Sequence, residues 1–115
     1  MRGWKRTDCL SPNIACSDVA QFDVRRVGRG LVIDCQSDLL SHLNTRLVVP
    51  LIARDQAPAP ARRFNPIFSI EGVEHVMDTQ FATAVEAREL GAFVASLAMH
   101  DLEILDAFDI LLSGV

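Results

Sequence analysis

Two β-branched runs, Leu31-Val32-Ile33 and Leu47-Val48-Val49, flank the polar cluster Asp34-Cys35-Gln36-Ser37-Asp38 and a short mixed bridge. Runs this short, bounded by turn-forming residues, predict two strands with an elaborated connection rather than a helix. Pro50 stops the second run. Having no N–H to give to a ladder, it is expected at a strand end or edge. Within the cluster, Ser37 and Asp38 can accept from nearby backbone N–H groups and clamp a loop. Leu39 and Leu40 follow directly. Neighbouring side chains on a strand face opposite ways, so one of the two is expected at the surface or at an interface. His42, close by, reads as solvated.

The rest of the chain is read against this pair of strands. Residues 21–27 alternate, with Phe22 and Val24 on one face and Gln21, Asp23 and Arg25 on the other, which predicts a half-buried strand. Gly28-Arg29-Gly30 makes a tight turn, and residues 31–34 return as its partner. Arg25, Arg26 and Arg29 beside this turn form either a phosphate-gripping cluster or a solvated hairpin end. Residues 53–65 (ARDQAPAPARRFN) predict a stiff extended loop carrying the basic pair Arg62-Arg63. Residues 67–70 and 73–77 read as strands about a Glu71-Gly72 turn, residues 79–86 as a further strand, and residues 91–97 as a loop or single turn. A helix closes the chain. Leu102, Leu105, Phe108 and Leu112, flanked by Ile104 and Leu111, recur at helical spacing, while Asp101, Glu103, Asp106 and Asp109 occupy the remaining surface. Asp109 opposes the helix dipole, and Gly114 is placed to end the helix. The fold class expected is mainly β with one C-terminal α-helix, an antiparallel sheet or partly open barrel.

Charge and composition narrow the function. A chain of 115 residues, half hydrophobic, is one domain with a real core. Residues 1–30 carry a balance of +3 and residues 31–115 one of −7. Direct nucleic-acid binding by so acidic a surface is disfavoured. No apolar run reaches the roughly 18 residues that a membrane-spanning helix needs. Cys9, Cys16 and Cys35 show no metal-ligand spacing, and a reduced, cytoplasmic protein is the expectation. The chain has no nucleophile elbow, phosphate loop or metal motif, so a binding protein without cofactor or metal is expected rather than an enzyme. Glu71/Glu74 and Glu86/Glu89 read as solvated carboxylates at turns. Residues 1–19 have no periodicity and are expected to be an extension outside the fold, either flexible or the product of a start site placed too early. The domain proper is residues 20–115.

The pieces VIDCQSDLL, TRLVVPL and RFNPIF together resemble the CcdB toxins of bacterial toxin–antitoxin pairs, over residues from about 21 to 115. The resemblance implies an SH3-like barrel with a smaller sheet and a C-terminal helix. It also implies a homodimer that wedges into the opened dimerisation region of DNA gyrase and traps the cleaved-DNA complex. A CcdA-like antitoxin, partly disordered, would neutralise it and make the DNA contact in operon autoregulation. Carried over residue by residue, Gln21, Phe22, Leu39, Leu40, Asp109, Ser113, Gly114 and Val115 would meet gyrase, and Ser37, Arg62 and Arg63 the antitoxin. Ser113 stands where the family's tryptophan stacks on an arginine of gyrase. Such a stack contributes roughly 0.5–2 kcal/mol, so the grip passes to Leu39, Leu40 and Val115, or the target differs, or the toxin is weak. Two alternatives remain: an endoribonuclease like the MazF toxins, which share the barrel, or a degenerate toxin that serves only antitoxin binding and operon control.

Overall fold

The computed structural model describes residues 20–57 and 59–114, except for the side chain of Arg62. The expectation for residues 1–19 lies outside these. Seven antiparallel strands form one curled sheet, a half-barrel closed by the C-terminal helix: β1 (Asp23–Val27), β2 (Gly30–Asp34), β3 (Thr45–Ala53), β4 (Ile67–Ile70), β5 (Val73–Met77), β6 (Thr83–Glu86), β7 (Phe93–Ser96) and α1 (Asp101–Ser113). The strand order is β4-β5-β3-β2-β1-β7, and β6 pairs separately with β3. The mainly β class with one terminal helix is therefore the observed one.

Both short hairpins have the turn chemistry expected of them. Gly28 opens the β1–β2 turn at φ +59, and Glu71-Gly72 join β4 to β5 at φ +53 and +81. Positive φ at the first, or at both, central residues gives the hand that matches the strand twist.

The long strand β3 corrects the reading of Pro50, which lies inside it, opposite Val32. Here β3 changes neighbours: Thr45–Val48 pair with β6, and Leu51–Ala53 with β5. In an antiparallel strand the N–H and C=O of one residue point the same way. The Pro50 carbonyl accepts from Asp78 N on this side, so the missing N–H falls in the gap between the two partners and no ladder bond is lost.

Three further boundaries differ from expectation. Residues 21 and 22 form a turn, and the first strand begins at Asp23. Residues 79–81 make a 3-10 turn before β6. Residues 93–96, read as loop or single turn, are the edge strand β7, paired to β1 across a register shift.

The core joins the concave face of the sheet to one side of α1. Phe22, Val24, Ile33, Val49, Met77 and Ile104 are all but inaccessible. Here the helix departs from the expected face. Its buried positions are Ile104 and Ala107, with Phe108 partly buried against the core, whereas Leu102, Leu105 and Leu112 are exposed. Positions 104, 107 and 108 form an i, i+3, i+4 row as regular as the alternative. Small Ala107 is fully enclosed in that row. Arg63 donates two bonds to Asp106, at 2.8 and 2.7 Å, and so ties the loop before β4 to the helix.

Cys35 is buried, and burial first, with neighbouring Asp34 second, pushes its thiol well above its ordinary value. Thiolate is the reacting form. Alkylation at pH 8, followed by peptide mapping, should therefore label the Cys35 peptide at least about 100-fold more slowly in native than in urea-unfolded protein.

Candidate functional site

The polar cluster after β2 is a clamp built around a buried ion pair. Arg46, the second residue of β3, donates from Nε to Asp34 Oδ2 at 2.8 Å, and neither side chain meets solvent to any extent. The other Asp34 oxygen accepts from Gln36 N. The Gln36 side chain then spans the loop, its Oε1 accepting from Leu47 N and its Nε2 donating to Leu40 O. Burial raises the Asp34 carboxyl above its ordinary value, against the pull of Arg46 and the Gln36 N–H. A buried charge pair of this kind holds only while all its polar atoms are matched.

The clamp presents a hydrophobic tip. Ser37 Oγ accepts from Leu39 N and starts the single 3-10 turn Asp38–Leu40. Ser37, a residue expected to meet the antitoxin, thus has a defined structural task. Leu39 is 87% exposed and Leu40 44%. Sequence reasoning asked for one leucine in contact with solvent, and both are. His42 is exposed, as expected.

Gln21 and Phe22 are wired to the same tip. Gln21 N donates to Asp38 Oδ1 at 2.8 Å, and Gln21 Nε2 to Cys35 O at 3.2 Å. Phe22 adopts φ +70, a conformation that strains a bulky residue by on the order of 1 kcal/mol or more. Its N–H reaches Asp34 O, and its carbonyl accepts from Leu97 N at 2.8 Å. The Phe22 ring lies in the core. It can act only by holding the turn, and the outward contacts fall to half-buried Gln21 and the two exposed leucines.

The helix end is a second exposed feature. Gly114 adopts φ +76 and its N–H caps Ile110 O, closing α1 in the left-handed form that favours glycine. Ser113 turns its hydroxyl back to Asp109 O at 2.7 Å, and both residues are exposed. Val115 and the Arg62 side chain lie outside the described residues. Arg63 is exposed but engaged with Asp106, whose carboxyl its guanidinium holds below the usual range.

The three arginines of the first hairpin do not act together. Arg25 is buried, donates to Gly91 O at 3.1 Å and lies over the Phe93 ring, whereas Arg26 and Arg29 face solvent. Asp23, expected on the outer face, is buried too and accepts from Ala20 N. The edge strand β7 lies beside β1, with Ser96 opposite Asp23 and Phe93 opposite Arg25. The carboxylate pairs at turns are exposed, with Glu74 joined to Arg54 and Glu86 to Arg88.

The clamp residues Asp34, Gln36 and Arg46 were not foreseen as a unit. The signal available was a charge of each sign set against the inner ends of the two β-branched runs. Among the described residues no group of His, Cys, Asp or Glu could hold a metal ion, and no helix is long and apolar enough to cross a membrane.

A family model described as CcdB protein matches residues 21–114. Comparison with curated proteins gives no match.

Proposed function

The chain belongs to the CcdB family, toxins of toxin–antitoxin systems, and from that premise we propose that it binds the dimerisation region of DNA gyrase and traps the cleaved-DNA complex. In this reading it acts as a homodimer without catalytic chemistry of its own, and a CcdA-like antitoxin releases gyrase from it. The observation that carries the reading is the tip. Leu39 is 87% exposed, yet the loop that bears it is fixed by hydrogen bonds made by the Gln36 and Ser37 side chains to its backbone and to β3. An apolar side chain held rigidly in water costs little ordering entropy when a partner covers it. The exposed helix end at Asp109, Ser113 and Gly114 supports a second contact, and antitoxin capture at the loop of Arg62 and Arg63 exchanges the Asp106 partner of Arg63 for an acidic group of the antitoxin.

Purified protein, assayed with gyrase from its source organism, is expected to inhibit supercoiling and leave double-strand breaks on addition of detergent and protease. Absence of breaks at high molar excess would rule out gyrase as the target. Leu39→Asp tests the tip itself. A substitution so exposed should change stability by only about 0.5 kcal/mol. Loss of a central apolar contact should weaken gyrase binding by roughly 2 kcal/mol, about 30-fold.

A further inference from the structure

A pocket of about 500 Å³ opens at the end of the half-barrel remote from the clamp, and nothing in the proposed gyrase reading uses it. Its position follows from strand register. Along β1, β2 and β3 the core row Val24, Ile33 and Val49 is succeeded on the same face by Arg26, Leu31 and Leu51. Beyond that row the apolar filling stops. Leu31, Leu51 and Ile70 make an apolar floor, Arg26 and Arg29 form one wall, and His75 and Glu71 stand on the other.

Three features give the pocket a chemistry. Arg26 and Arg29 are exposed, and among the described residues neither has a carboxylate partner. His75 Nδ1 lies 3.0 Å from Val73 O and, since a carbonyl only accepts, donates to it, which leaves Nε2 as the polar ring atom not so engaged. Against two arginines the lining offers one carboxylate, Glu71, on a domain whose residues 31–115 carry a balance of −7. Guanidinium groups pair with oxyanions through two parallel bonds, and the volume falls in the range of small-molecule sites.

We propose that this pocket binds a small organic oxyanion, with the phosphate or carboxylate group on Arg26 and Arg29 and an apolar body on the floor of Leu31, Leu51 and Ile70. Phenyl phosphate, benzoate and inorganic phosphate serve as probes, titrated into the full-length protein at low salt and followed by backbone amide NMR. Phenyl phosphate should saturate on the order of 1 mM, moving amides of residues 26–31 and 71–75 and leaving those of 36–40 in place. Inorganic phosphate should bind about tenfold more weakly, because it leaves the floor uncovered. The R26A/R29A double variant, with both changes at the surface and melting unchanged, should bind phenyl phosphate at least about tenfold more weakly. Benzoate binding as tight as phenyl phosphate assigns the site to carboxylates, and weaker binding assigns it to phosphate monoesters. No saturation below 10 mM (about a tenfold margin), equal affinity for inorganic phosphate, or unchanged binding in the double variant would overturn the proposal.

Discussion

Replacing Arg46 by alanine is expected to destabilise the protein by about 3–5 kcal/mol, because it strands the Asp34 carboxylate in the core without a counter-charge. Asp34 is fully buried, and its carboxylate takes its shorter bond from Arg46. A domain of this size has on the order of 5–15 kcal/mol in all, so the melting temperature should fall by roughly 15 °C or more. Urea unfolding of both proteins reads the loss directly. The pH dependence identifies the cause. The folded-state pKa of Asp34 already lies above its unfolded value of 3.8. The folded state therefore keeps the proton longer, and the contribution of Asp34 to stability falls as pH rises through that window. Without Arg46 the folded value rises further and the window widens upward. The gap between the variant and the parent should then be smaller at pH 4 than at pH 7. A gap independent of pH would mean that lost packing of the arginine stem, not the uncompensated charge, sets the cost.

That clamp also marks the limit of what could be read from the chain. The β-branched runs at 31–33 and 47–49 predicted β2 and β3, and the glycine turns predicted both short hairpins, because these signals are local. What was hidden depends on neighbours. Pro50 sits mid-strand only because β3 exchanges β6 for β5 at that point. Strand β7 is four residues, FVAS, with no clean alternation, and its one clue is Gly91. A Cβ there would lie 3.0 Å from Arg26 O, while Gly91 N donates to that same oxygen at 2.7 Å. Helix α1 carries two adjacent apolar stripes, and periodicity cannot choose between them. Packing at Ala107 does, and it leaves Leu102 and Leu112 about four-fifths exposed. Of the candidate site, one exposed leucine after QSD and the glycine-capped helix end were legible. The Asp34–Arg46 pair was not, since nothing in a single strand says that its charge will be buried against another.

Deleting Gly114 and Val115 is expected to abolish killing while leaving the fold in place. The anchors of α1 are Ile104 and Ala107, two to three turns before the end, so the deletion leaves the core intact. It removes the left-handed cap at Gly114 and its bond to Ile110 O, a loss of about 1 kcal/mol or less. Melting should shift by only a few degrees, about 4–8 °C at most. Antitoxin binding, if it runs through the loop of Arg62 and Arg63, should be unchanged in a titration. The proposed gyrase contact should suffer far more. Removing a contact at the heart of an interface weakens it by roughly 2–4 kcal/mol, some 30- to 1,000-fold. With Ser113 offering no aromatic ring, little remains at the helix end to replace that contact. Plating after induction should recover colonies at the uninduced level, and cleaved DNA should be absent at concentrations where the parent traps it. A shortened protein that still kills would transfer the mechanism to Leu39 and Leu40. The same assay on Leu39→Asp in the shortened background would then decide whether the tip alone is sufficient.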